Sequence, residues 1–432
     1  MAGIYVSGGT FSGSGDVTTD WMVEDPTAGG TFTAPDGTLT YVGKYGGAGA
    51  ALNHCHYARD TFNHNNGTIT VNPTKDGGTR YISNTNGGVR DLYSLTLLSG
   101  SISASYANDV RYGTECTLDG NLTIDGTNAV ANFPVFQPGS QTFDLVVVKD
   151  VSVKTGTLGG NFNYGTMTLG SMNIQSGGIF DAPGDNIHGT GGTTTMNYTT
   201  GLYSVIFRNN GTMIHNSGTL ILNTNTDAVY GGGAGTGGPW NVIATERGAG
   251  TYTYRVYATP IIENDLTISG NVIYNNNLAG GTNHTVSGNV LVTHTGSYAN
   301  TGATANTQNF GSLIVNSYST FIASPAGQTN INGPANALLG GYLWRSNAGT
   351  FTHNNGLVYI NTGAYNGSDV FPAPTQPFYN LTYSGSGTVE SWSSIIANNF
   401  DVGTDIIFRP IIPTEAFTVS GTATMNGFFG KD

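Results

Sequence analysis

Apolar side chains recur at every second position of this chain, in short runs such as GTITVN at 67–72, GTLILN at 218–223, GLVYIN at 356–361, DLTISGNVIY at 265–274 and SLIVNS at 312–317. Successive side chains of a strand point to opposite faces, so this period predicts strands with one buried face. Gly, Asn, Asp and Ser interrupt the runs every few residues and supply the turns between them. Helical spacing is almost missing, and the chain reads as all-β.

The runs are organised into repeats. TFNHNNGTITVN at 61–72 returns as TMIHNSGTLILN at 212–223 and as TFTHNNGLVYIN at 350–361. A second family comprises GNLTIDGTNAV at 120–130, GSMNIQSGGIF at 170–180, NDLTISGNVIY at 264–274, GNVLVTHTGSY at 288–298, GSLIVNSYSTF at 311–321 and NNFDVGTDIIF at 398–408. Leu266 to Val290 is 24 residues and Val290 to Leu313 is 23, the length of one solenoid coil. Such a coil cannot bury its own apolar side chains, but stacked coils pair backbones about 4.8 Å apart and build a continuous core. At roughly 23 residues per coil, about 350 residues predict about 15 coils and a rod near 70 Å long. The expected fold is therefore an elongated parallel β-helix, or β-solenoid, built from imperfect repeats; the competing architecture is a tandem of β-sandwich domains, which shows the same alternation.

Each twelve-residue copy follows an aromatic and an arginine, Tyr57 and Arg59, Phe207 and Arg208, Trp344 and Arg345, and precedes an aromatic-led strand beginning at Leu92, Trp240 or Phe378. Intervals of 151 and 138 residues between copies mark a longer module. The expected organisation is an N-terminal attachment or capping segment at 1–58, a solenoid body of two modules at 59–345, and a shortened last module with a C-terminal cap at 346–432. The stretch at 245–263, TERGAGTYTYRVYATPIIE, departs from the pattern and is expected to be an insertion or irregularity.

Composition narrows the picture. With 65 Gly in 432 residues, only 9% charged residues, and yet 38% hydrophobic and 11% aromatic residues, the chain is ordered and rich in turns. A formal charge of −12 without a Lys/Arg cluster argues against nucleic acid. Cys55 and Cys116 can form at most one bridge, which a fold of this size does not need, and both are expected free. The first residues lack a basic region followed by an apolar stretch, and no run approaches the roughly 18 apolar residues of a membrane helix, so neither secretory export nor membrane insertion is expected.

The block GTFTHNNGLVYIN at 349–361, followed by FYNLTYSGSGTV at 378–389, NNFDVGTDIIF and FTVSGTATMNG, resembles the Gly/Thr/Asn-rich repeat of parallel β-helix proteins from tailed-phage particles and prokaryotic cell surfaces. The resemblance spans most of 60–430, is sharpest over 349–426, and is specific to an architecture rather than an activity. It also implies a homo-oligomer, with a trimer as the common form.

Candidate chemistry is sparse. Glycoside cleavage needs two carboxylates about 5 to 9.5 Å apart, and the best local source is DAPGDNIHG, with Asp181, Asp185 and His188; the same residues make an ordinary Pro/Gly turn capped by Asp. His54, Cys55, His56 and His64 contain ligand chemistry, and His54 and His56 share a face on a regular strand, but no second pair completes a zinc or copper set. His64, His215 and His353 hold one module position and are expected to donate turn or inter-coil hydrogen bonds, since a single catalytic site rarely comes in triplicate. Asn72, Asn223 and Asn361 close the same strands and are expected to satisfy corner backbone groups. GGGAGTGGPW from Gly231 lacks the Lys-Ser/Thr of a phosphate loop and reads as a flexible loop.

No catalytic, cofactor-binding or metal residue is therefore assigned, and no cofactor is expected. The expectation is a non-enzymatic virion structural protein of a tailed phage: a fibre, capsid or tail appendage made in the host cytoplasm and released by lysis. Its partners would be copies of itself, other virion proteins and a host-surface glycan. A bacterial or archaeal surface adhesin or filament subunit is the alternative, and a glycan-cleaving β-helix the third reading.

Overall fold

Short extended runs, most of them with one face of their pleat buried, make up most of the described chain. The computed structural model describes residues 3–24, 30–44, 54–58, 61–74, 79–84, 90–98, 108–113, 115–127, 134–138, 144–159, 166–184, 192–198, 205–231, 235–257, 261–276, 283–302, 305–333, 342–363, 367–369, 376–411 and 416–430. Among them there is no helix, hence none long and apolar enough to cross a membrane. The described strand registers are parallel, as in Thr38–Tyr41 beside Thr68–Val71 and Leu266–Ser269 beside His284–Thr293. Parallel neighbours cannot be joined by a tight hairpin, so the chain must travel before it returns.

The chain divides into two units: Met1–Tyr198 with Val205–Leu220 and Gly233–Gly237, and Thr199–Ser204 with Ile221–Gly232 and Gly238–Asp432. In the first, the registers run Leu39 to Ile69 to Leu95 to Leu122 to Val151 to Met172, all buried. Each step along that column advances the chain by 21 to 30 residues, as Val151 opposite Met172 and Leu39 opposite Ile69 show. The strands before residue 58 pair in the same sense, Ile4–Val6 beside Met22–Glu24 and Met22–Glu24 beside His54–Ala58.

In the second unit, Leu266 lies opposite Val290 and Val290 opposite Leu313, so the 24- and 23-residue spacings seen in the sequence are each one step of register. Val242 precedes them and Trp344 follows. Beside this column runs an aromatic one, Tyr254, Tyr274, Tyr298, Phe321 and Phe351 in successive registers. Their ring centroids lie 5.8 Å apart for Tyr274 and Tyr298, 5.1 Å for Tyr298 and Phe321, and 6.2 Å for Phe321 and Phe351. That spacing follows from the strand separation, and it turns an aromatic at one inward position into a continuous stack.

One corner is built alike in both units. Register shifts between Val147 and Asp150 in Leu145–Gly159, and between Val286 and Asn289 in His284–Thr293, where the opposed strands carry Gly170 and Gly311. A Cβ on either glycine would run into carbonyl oxygens of the bulged strand, those of Lys149 and Val148 or of Gly288 and Ser287. The serine that follows bonds across the corner, Ser171 Oγ to Asp150 at 2.6 Å and Ser312 Oγ to Asn289 at 2.5 Å. These contacts explain why GSMNI and GSLIV open two of the sequence repeats. Within the stretch expected to be an insertion or irregularity, residues 247–250 bend, and Tyr252–Tyr257 is a strand in register with Ala228–Gly231 and Val272–Asn275, its Tyr254 and Val256 turned inward.

Candidate functional site

The thrice-written motif makes three copies of one tight turn. After the strands Thr61–Asn63, Thr212–Ile214 and Thr350–Thr352, the two residues following histidine take positive φ: Asn65 at 47° and Asn66 at 57°, Asn216 at 45° and Ser217 at 56°, Asn354 at 46° and Asn355 at 58°. The glycine N–H then closes on the histidine carbonyl, Gly67 to His64 at 2.9 Å, Gly218 to His215 at 2.7 Å and Gly356 to His353 at 2.9 Å. Two consecutive left-handed residues and this bond define a type I′ turn, which accounts for the Asn-Asn/Ser-Gly sequence.

The histidines act as acceptors rather than as the expected donors. Nδ1 of His64 receives the N–H of Asn66 at 2.9 Å, that of His215 the N–H of Ser217 at 2.9 Å, and that of His353 the N–H of Asn355 at 2.8 Å. A backbone N–H can only donate, so Nδ1 holds the lone pair and the ring proton sits on Nε2. At His64 that Nε2 faces the Asp119 carboxylate at 3.5 Å, and the ring stacks on Tyr93 with centroids 5.7 Å apart. The Tyr93 hydroxyl is in turn reached by Lys149 Nζ at 3.1 Å. His353 stacks on Tyr379 in the same way, also at 5.7 Å. Nδ1 of His64 is thus committed to the backbone and its Nε2 faces a carboxylate.

Each turn also rests on a preceding segment that contains Ala and Pro. Ala34 N–H donates to the Asn63 carbonyl, Ala182 to Ile214 and Ala323 to Thr352, at 2.8 to 3.0 Å. Asn216 Nδ2 reaches Asp181 Oδ1 at 2.6 Å and the Ala182 carbonyl at 2.8 Å, and Asn354 Nδ2 reaches the Ala323 carbonyl at 2.9 Å. The candidate carboxylate Asp181 is thereby tied to the turn, half-buried, with burial pushing its carboxyl above the ordinary range. Asp185 and His188 lie outside the described residues.

The metal candidates separate. A bulge places Tyr81 opposite His54 and Ile82 opposite His56, so Cys55 is the extra residue and the alternation expected along His54–Ala58 is broken. Cys55 is buried, its Sγ near the Tyr81 carbonyl at 3.6 Å and its thiol pushed up to about 12 by burial. His56 is buried with Nδ1 2.9 Å from the Tyr41 hydroxyl. The side chain of His54 lies outside the described residues. Among the described residues no three His, Cys, Asp or Glu side chains gather as a metal set. Neither cysteine is in a disulfide, and both are buried. Of the three strand-closing asparagines, Asn361 caps its corner by accepting the Gly363 N–H at 3.1 Å. In the glycine-rich stretch, Gly237 has φ 73° and sits where a Cβ would overlap the Met213 carbonyl, so glycine there serves close backbone packing.

Two interior polar groups had little or no sequence signal. His284 is fully buried between Tyr298, 2.9 Å from Nδ1, and Tyr274, 3.5 Å from Nε2, and burial holds its imidazole down to about 3. Its position two residues before Val286 on one strand face was the available clue. Asp369 is also fully buried and accepts from Trp344 N at 2.9 Å, Leu343 N at 3.1 Å and Tyr383 Oη at 3.1 Å. In sequence it reads as a turn residue. No protein-family model matches the chain, and neither a curated protein nor a solved structure does.

Proposed function

We propose that this chain is a parallel β-solenoid serving as a non-enzymatic structural protein of a tailed-phage particle, assembled with copies of itself and with other particle proteins. The observation that carries the reading is the use to which its candidate reactive groups are put. The repeated histidines clamp turns, Asp181 holds Asn216, and Cys55 and His56 are packed inside. Parallel registers that recur every 18 to 35 residues extend a backbone ladder from coil to coil. Host-surface glycan contact belongs to the same proposal, as does a homo-oligomer.

The test combines light-scattering mass determination on the purified chain, a reducing-end assay against bacterial surface glycans, and immunogold labelling of particles and cells with antibody to the chain. A homo-oligomer that releases no reducing ends and labels particles fits the proposal. Label confined to cell surfaces moves the chain to the adhesin or filament class, and release of reducing ends overturns the non-enzymatic reading.

A further inference from the structure

We propose that the three histidine turns form a repeated acid-sensitive latch: protonation of His64, His215 and His353 releases the backbone clamp at three equivalent places along the chain. The argument is geometric. At each turn Nδ1 is within 2.9 Å of a backbone N–H, which has no other polarity to offer. A proton on Nδ1 converts the acceptor into a second donor facing the first, so contact and imidazolium exclude each other.

The clamp has structural consequence because each turn is seated on the preceding coil segment. The closing glycines leave no room for a side chain: a Cβ on Gly67 would meet the Pro35 carbonyl, on Gly218 the Pro183 carbonyl, and on Gly356 the Ser324 and Gly327 carbonyls. Opening the turn therefore disturbs Ala34–Asn63, Ala182–Ile214 or Ala323–Thr352 backbone bonds as well.

The groups facing the rings differ. His64 meets Asp119 at Nε2 and Tyr93 on its face, with Lys149 on the far side of that tyrosine. The His215 turn is tied through Asn216 to Asp181, and His353 faces Tyr379. The Asp119 carboxylate stands beside Nε2 of the His64 ring as an ion-pair partner. Burial lowers the His353 pKa.

The experiment compares the full wild-type chain with the triple variant His64→Asn, His215→Asn and His353→Asn. Asparagine keeps an acceptor of the same reach without a titrating proton, as Asn63 Oδ1 already shows by accepting the Asn65 N–H at 3.0 Å. Amide exchange of the peptides containing Asn66, Ser217 and Asn355, normalised to intrinsic rates, is followed from about pH 7.5 to about pH 5. Wild type is expected to lose about tenfold or more of its protection at these turns while the variant keeps it. Equal acid dependence in both chains overturns the proposal. Long-range nitrogen–proton NMR of the wild-type imidazoles gives an independent reading: three Nε2–H tautomers at neutral pH are expected, and an Nδ1–H tautomer at these positions overturns it whatever the variant does.

Discussion

At the scale of single residues, burial of groups that would rather be hydrated sets the sharpest expectations. Loss of hydration pushes the Asp369 carboxyl up to about 6, against the opposing pull of Trp344 N–H, the Tyr383 hydroxyl and Leu343 N–H. An acid with a raised folded pKa binds its proton more tightly folded than unfolded. Its contribution to stability is thus complete below about pH 4, falls as pH rises, and is gone above about pH 6. Asp369→Asn keeps the shape without the charge and is expected to exceed wild type in urea midpoint at about pH 8, by as much as roughly 3 kcal/mol. The gap should close toward about pH 4; a gap independent of pH would show that Asp369 is not the titrating group. The buried thiols of Cys55 and Cys116 should resist a thiol reagent in the native chain and both react after denaturation, and fast labelling of either in the folded protein would contradict its burial. Gly67→Ala must push its methyl into the Pro35 carbonyl and is expected to lower the thermal midpoint more than Asn66→Ala, whose side chain is exposed.

At the scale of elements, the aromatic column shows how far an element can be read before folding. Alternation placed Tyr274, Tyr298 and Phe321 inward within their own runs, and the 24- and 23-residue intervals were those of the adjoining aliphatic column. That the rings stack is a property of adjacent strands and needs the register Tyr298 opposite Phe321. Phe321→Ala empties a fully buried site between Tyr298 and Phe351 and is expected to cost about 3 to 5 kcal/mol in chemical denaturation. Tyr318, three residues earlier, is 87% exposed with φ 66°, so Tyr318→Gly should leave stability unchanged or raise it by a few tenths of a kcal/mol or more, to about 1. If the two variants behaved alike, the assignment of Phe321 to the interior column would be wrong. The corner at Gly170 and Gly311 was legible as a turn, whereas the matching one-residue shift of register in the partner strand was not, because a bulge is a mismatch between strands and appears in neither alone.

At the scale of the molecule, the described pairings join segments close in sequence, from 18 residues for Ile4 and Met22 to 35 for Met172 and Phe207. Stability then resides in many neighbour contacts rather than in one closure. Denaturation is expected to depart from two-state behaviour, with a van't Hoff enthalpy below the calorimetric one; equality of the two would mean that the units unfold as one. The sequence by itself determined the all-β class, the strand period, the turn residues and the repeat intervals, because these follow from side-chain alternation and local backbone preference. It also singled out the three histidines, but not their chemistry. Only the folded chain decided that they accept from the backbone, that Cys55 bulges, that Asp181 binds Asn216 and that Asp369 is submerged. Each of these depends on which atoms distant segments bring within about 3 Å, a matter that local preference does not encode.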